Sequence, residues 1–213
     1  MQKGLMWLPL LLMLLLVPPA GAAEKLIADF ESGSLAAWEE EPFVGHTLYT
    51  LQAEGQGHCL SAESQASASA LIHKLEYDLN QWPRLAWRWK VDGVLEKGDV
   101  HHKQTDDYPA RVYVVFPHWF PPKTRSINYI WANRLPRGEA VPNSYYAKAI
   151  MLAVESGPDK AGQWVSVERN VLEDFRRLFG EEPPPVGAIA IMTDTDNTGE
   201  QARACYDDIR LLR

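Results

Sequence analysis

Carboxylates at close spacing mark one stretch of the chain, Thr193-Asp194-Thr195-Asp196-Asn197-Thr198-Gly199-Glu200. Hard oxygen donors at alternate positions, Asp194 and Asp196 with Asn197 beside them, closed by a glycine turn, suit calcium. The spacing loosely follows the first six positions of an EF-hand loop. Position twelve, where that loop carries its bidentate glutamate, is Cys205. An EF-hand is therefore excluded. A one-sided loop site for a structural calcium and a solvated acidic turn both remain open.

A second group combines cations, acids and aromatic rings: Arg88, Lys90, Asp106, Asp107, Arg111, Tyr113 and Trp131. Arg88 and Lys90 alternate with Trp87 and Trp89, and Arg111 and Tyr113 alternate with Val112 and Val114. If those two strands pair, all four polar side chains project from one face, and Asp106 and Asp107 reach it from the preceding loop. Arginine forks bind carboxylates, and tyrosine offers a flat polar surface. The group reads as a cleft for a sugar or another polyhydroxylated ligand, an acidic one included. It reads equally as an ion-pair network that holds a long loop down. His101 and His102 lie in the same loop, but neighbours on an extended chain point apart and rarely ligate one ion. His118-Trp119-Phe120, set among prolines, is either an exposed aromatic lip or a packed loop.

Known catalytic signatures are missing. There is no Gly-x-Ser-x-Gly, no His-Glu-x-x-His and no phosphate loop. Paired carboxylates can cleave glycosides, yet acid count alone does not argue for it. The formal net charge of −7 excludes nucleic acid and anionic membrane surfaces as expected partners. Cys59 and Cys205 stand outside any zinc spacing and read as a disulfide or as two separate buried thiols.

Residues 1–22 carry Lys3, an apolar run from Leu5 to Val17 and the small residues Ala20-Gly21-Ala22. That is the pattern of a secretory signal peptide. The expectation is an exported protein, periplasmic or secreted, with no membrane span after cleavage and with residues 23–213 as one domain. Strand-like runs fill that domain: Lys25–Phe30, Thr47–Ala53, His58–Ala62, Ser67–Tyr77, Leu85–Val91, Arg111–Phe116, Ile127–Ala132, Tyr146–Glu155, Trp164–Glu168, Val186–Met192 and Ala202–Leu212. One helix is expected, capped by Asn170 with Glu173 in capping-box spacing and stopped by Gly180. Many short strands and one helix predict an all-β fold, a sandwich or barrel. In the cleanest strand, period two places Trp87 and Trp89 inward and Arg88 and Lys90 outward.

Asp29-Phe30-Glu31-Ser32-Gly33, Trp38 and the closing Tyr206-Asp207-Asp208-Ile209 resemble the jelly-roll carbohydrate-binding modules. Trp87-Arg88-Trp89, Asp106-Asp107 with Arg111-Val112-Tyr113, Asn128-Tyr129-Ile130-Trp131 and Asp194-Thr195-Asp196-Asn197 resemble a bacterial exported family of unknown function, over nearly all of residues 25–212. The module resemblance implies a β-sandwich of two antiparallel sheets. It also implies that the first and last strands lie side by side, with calcium bridging Glu31 to Asp207 or Asp208. The jelly-roll order places the strand of Cys59 beside the strand of Cys205, with the first strand on the other edge of the last; a disulfide then joins directly opposed residues. The expected function is non-catalytic binding of a carbohydrate or envelope glycan. The alternatives are a glycan-active lyase or hydrolase using Asp106, Asp107 and Arg111, and a structural protein of the cell envelope.

Overall fold

The computed structural model describes residues 23–213; the leader reading falls outside them. Two sheets stack face to face. The first contains β1 (Glu24–Ala28), β3 (Leu48–Glu54), β4 (Gly57–Gln65), β6 (Arg84–Val91), β11 (Val165–Asn170) and β13 (Gln201–Leu212). Its order is β11-β6-β13-β4-β3, with β1 also paired to β13. The second contains β2 (Glu39–Val44), β5 (Ala68–Tyr77), β7 (Ala110–Phe116), β8 (Arg125–Ala132), β9 (Ala140–Pro142), β10 (Ala149–Ser156) and β12 (Val186–Met192). Its order is β2-β5-β12-β7-β8-β10-β9. The all-β sandwich expected from the strand pattern is the fold observed. Among the described residues every strand pairing is antiparallel except that of β8 with β10, which run parallel.

The core follows the period-two pattern. Leu85, Trp87, Trp89 and Val91 face inward and are almost fully buried, while Arg88 and Lys90 point out. Trp89 packs against Trp131 at 6.0 Å and Tyr206 at 6.4 Å between ring centroids. Each such ring removes roughly 150–250 Å² from water, on the order of 4–6 kcal/mol as an upper bound.

The one α-helix, α1 (Val171–Phe179), forms as its caps dictate. The Asn170 side chain accepts the Glu173 amide at 3.1 Å. Gly180 takes the left-handed conformation at φ 71° and returns its N–H to Arg176 O. Phe175 stacks edge-on against Phe116 at 4.6 Å and closes one end of the core.

Two strands escaped the sequence reading. In β2, Glu39-Glu40-Glu41-Pro42 carries none of the alternation of a half-buried strand. It is an exposed sheet edge, where charge and proline discourage further pairing. The three residues of β9 are too few to show a period.

The position of β1 differs from expectation. It pairs with the second half of β13, Ala28 opposite Ile209, on the edge whose first half pairs with β4. The other edge of β13 belongs to β6. The long β13 thus accommodates β4 and β1 in tandem.

The strands of Cys59 and Cys205 are neighbours as expected, and the two cysteines form a disulfide with Cα atoms 5.7 Å apart. The pairing is not directly opposed: Cys205 faces Ser61, two residues from Cys59.

Candidate functional site

The expected cleft does not form. β6 and β7 lie in different sheets, so Arg88 and Lys90 face away from Arg111 and Tyr113. The structure sorts the same residues into two other groups, one on each outer face. Trp131 joins neither: it is buried in the core and donates its indole N–H to Gly157 O at 3.0 Å.

The first group gathers where β7 begins and β12 ends. Arg111 stands opposite Met192 in that ladder, so the loop entering β7 and the loop leaving β12 emerge side by side. This register brings Asp106 and Asp107 against Asp194, Asp196 and Asn197. The buried Arg111 guanidinium grips Asp194, with its Nε donating to Oδ1 at 2.8 Å and its terminal nitrogen facing Oδ2. Its plane lies over the Tyr108 ring at 4.5 Å and near the Tyr113 ring at 6.0 Å.

Asp107 is fully buried and holds the acidic loop by its backbone. Its Oδ1 accepts the Asn197 amide at 3.3 Å and side chain at 3.1 Å, and its Oδ2 accepts the Thr198 amide at 2.6 Å. Asp106 accepts the Tyr108 hydroxyl at 2.7 Å and Asn143 Nδ2 at 2.6 Å. Tyr145 reaches over with its hydroxyl on Asn197 and on Lys103 O.

Sequence reading missed Asn133, Asn143 and Tyr145. Asn133 donates to Asp107 O at 2.8 Å and accepts the Leu95 amide at 2.9 Å. A Cβ on Gly98 would lie 2.0 Å from Asn133 Nδ2, so any larger residue there would displace the Asn133 side chain from these bonds. The Asn-Tyr clusters in the loops were the available signal.

The second group surrounds Arg88 on the opposite face. Its Nε donates to Asp207 at 3.0 Å and lies 3.3 Å from Asp208, and its Cζ sits 4.7 Å from the centre of the Trp164 ring. Lys90 pairs with Glu54, which also accepts the Trp164 indole at 3.3 Å. Glu31 accepts the His58 amide at 2.7 Å and faces its ring Nδ1 at 3.0 Å. Arg88 pairs with both aspartates and Arg210 with Asp208 at 2.7 Å, so an ion bridging them to Glu31 would share their oxygens with these arginines.

Among the described residues, Asp107, Asp194 and Asp196 form a cluster that could hold a metal ion, with one oxygen of each within 4.8 Å of the others. Both oxygens of Asp107 and of Asp194 already accept protein donors, so an ion there would share them with Arg111 and the loop amides. His101 and His102 are exposed and belong to no such cluster.

Burial pushes Asp106, Asp196 and Asp207 above the ordinary aspartate value of 3.8, and Asp107 adds to the shift at the first two. A carboxyl raised in the fold binds its proton more tightly folded than unfolded. Its contribution is present at low pH and lost as pH rises through the folded value. Glu31 and Glu54 behave oppositely. Hydrogen bonds from His58 and from Lys90 hold them below 4.5, so their contribution is complete above that pH and lost on further acidification. The melting temperature should therefore gain from Asp106, Asp196 and Asp207 as pH falls through their raised folded values, and lose from Glu31 and Glu54 as pH falls below about 4.5. Asp106→Asn should reduce that gain. A melting temperature that falls steadily from neutral pH would contradict this account.

Two stacked, mostly antiparallel sheets with a single helix define an all-β sandwich. Within that class the chain belongs to the family described as "Protein of unknown function (DUF3047)", matched over residues 36–210. The sequence matches no curated protein.

Similar solved structures include the family 11 carbohydrate-binding module of a cellulosomal cellulase from Clostridium thermocellum. The identity is 13%, the TM-score 0.49, and 90% of this chain and 95% of that chain are covered. Another is CBM28, a module specific for non-crystalline cellulose, at 16% identity and TM-score 0.45, covering 86% and 91%. A third is the xyloglucanase domain of NopAA, a type three effector from Sinorhizobium fredii, at 8% identity and TM-score 0.49, covering 92% and 100%. At such identities the likeness concerns the fold alone.

Proposed function

We propose that the protein is a non-catalytic, exported binder of a polysaccharide or envelope glycan, periplasmic or secreted. One observation carries this reading: four aromatic rings stand exposed on two loops that are tied together. Trp119, Phe120, Tyr145 and Tyr146 are 88%, 46%, 59% and 38% exposed. Tyr146 donates its hydroxyl to Pro122 O at 2.9 Å and Thr124 O at 2.7 Å, which joins its loop to the one carrying Trp119. The start of that loop is fixed by packing. A Cβ on Gly187 would lie 2.5 Å from Pro117 Cγ, so only glycine lets the turn seat against β12. Flat apolar faces with polar edges, held in place before the ligand arrives, suit sugar rings, whose C–H faces stack and whose hydroxyls hydrogen-bond.

The absence of chemistry in this reading rests on the acids. Asp106, Asp107 and Asp194 spend their oxygens on protein donors. The glycan-active alternative draws on Asp106, whose raised pKa is what a general acid needs. The Cys59–Cys205 bridge supports an oxidising compartment. A structural calcium is assigned to Asp107, Asp194 and Asp196, the carboxylates that bring one oxygen each within 4.8 Å of one another.

The test is a glycan array followed by titration of the best polymer, with calcium and with chelator. Trp119→Ala should weaken binding about thirtyfold, the effect of an interface hot spot of roughly 2 kcal/mol. Unchanged affinity in that variant, or no retained polymer, would remove the reading. Accumulation of shortened product would replace it with the enzymatic one. Chelator that leaves melting temperature and affinity untouched would remove the calcium assignment.

A further inference from the structure

Beside Trp119 lies a cavity of about 560 Å³, within the range of small-molecule sites. Its walls include His118, Lys123, Arg125, Lys148, Glu181 and Glu182. We infer that this cavity is a subsite for an acidic sugar, with the carboxylate of a hexuronate held between Lys123 and Lys148 while Trp119 stacks on a neighbouring ring. The inference rests on the glycan-binding reading and names the class of glycan.

Charge accounting inside the cavity carries the argument. Both wall glutamates are already matched: Glu181 pairs with Arg125, and Glu182 takes Nε and a terminal nitrogen of Arg176 at 2.9 and 2.8 Å. The Arg125 guanidinium is further engaged over the Phe179 ring at 5.3 Å. Lys123 and Lys148 make no ion pair among the described residues. Two lysines without an ion-pair partner therefore line one cavity in a chain whose net charge is −7.

Their backbones are held in place. The Lys123 amide bonds Phe120 O at 2.9 Å, and Lys148 O accepts the Ser126 amide at 3.2 Å. His118 accepts the Phe120 amide on Nδ1 at 2.9 Å, which places the proton of its neutral ring on Nε2 as a further donor. Two ammonium groups and an imidazole N–H can satisfy the oxygens of one carboxylate, and charge-assisted bonds of this kind are the strong ones. Elsewhere the acidic protein repels polyanions, so retention of one requires a local site of this sort.

The experiment is affinity electrophoresis of the full mature chain through polygalacturonate, alginate and hyaluronate, each against its carboxyl-reduced form. Wild type should bind at least one charged polymer about tenfold tighter than its reduced partner. Lys123→Ala with Lys148→Ala should bring that ratio close to one with the melting temperature unchanged, since neither side chain has a bonding partner to lose. Trp119→Ala should weaken both forms. Equal binding of charged and reduced polymers, still dependent on Trp119, would overturn the acidic subsite and leave the glycan reading standing. A charge preference that survives in the double lysine variant would also overturn it. Retention of no polymer in either form would overturn both.

Discussion

Asp194→Ala should lower the free energy of unfolding by about 3–5 kcal/mol. Asp194 and Arg111 are buried partners, with side chains 1% and 6% exposed. Removing the carboxylate leaves the guanidinium out of water with its Nε and one terminal nitrogen unpaired. That penalty exceeds the net worth of the pair itself, because it includes the cost of desolvating a charge that then has no bonded partner and only the fields of Asp106 and Asp107 to offset it. The loss also spreads: the Tyr108 amide points at Asp194 Oδ1 at 3.4 Å, and the Tyr108 ring lies on the guanidinium. Asp194→Asn keeps an acceptor for Nε and should cost less. Urea unfolding followed by tryptophan fluorescence checks both variants. A loss under about 1 kcal/mol for alanine would mean that water enters and pairs with Arg111, and that the pole is open rather than packed.

Opening the Cys59–Cys205 disulfide should cost about 5 kcal/mol. The two cysteines are 146 residues apart, so the bridge removes a large share of the unfolded chain's freedom, and the effect grows with the logarithm of that span. Both residues are buried, so Cys59→Ala with Cys205→Ala also removes two packed sulfur atoms, and reduction of the native cysteines separates that loss from the loss of the crosslink. Urea midpoints of that variant and of the oxidised protein measure the difference. Alkylation before and after reduction, read by mass spectrometry, verifies the starting state. Equal midpoints would show that the unfolded chain is already compact enough to make the crosslink redundant.

The sandwich was legible because burial alternates strictly along its central strands. Leu85 to Val91 announced its inner and outer faces, and α1 announced both caps. What the sequence left hidden depended on which strands pair. Arg88 and Arg111 carry the same local signature, a cation alternating with large apolar residues, and nothing local says that β6 and β7 join different sheets. The acidic loop was found from its own residues. Its union with Asp106 and Asp107 depends on Met192 standing opposite Arg111, a register no single strand reveals. Trp131 shows the reverse error: a tryptophan grouped with the polar site residues belongs instead to the core, where its alternation with Ile127 and Tyr129 places it. Asn133 and Gly98 were missed because a tight approach between two loops leaves no periodic trace.

The position of β13 has a consequence for the order of assembly. This strand is the last of the domain to be synthesised, yet it lies at the centre of its sheet, hydrogen-bonded to β6 on one edge and to β4 and β1 on the other. A chain stopped before Gln201 has β1, β4 and β6 without their common partner, and Cys59 without Cys205. The six-stranded sheet therefore closes only after its final residues are available, through contacts between the two ends of the domain. Such long-range closure is slow compared with local hairpin formation. The seven-stranded sheet, by contrast, has every one of its strands before Gln201, so the two layers of the sandwich differ in how much of the chain each needs before it can close.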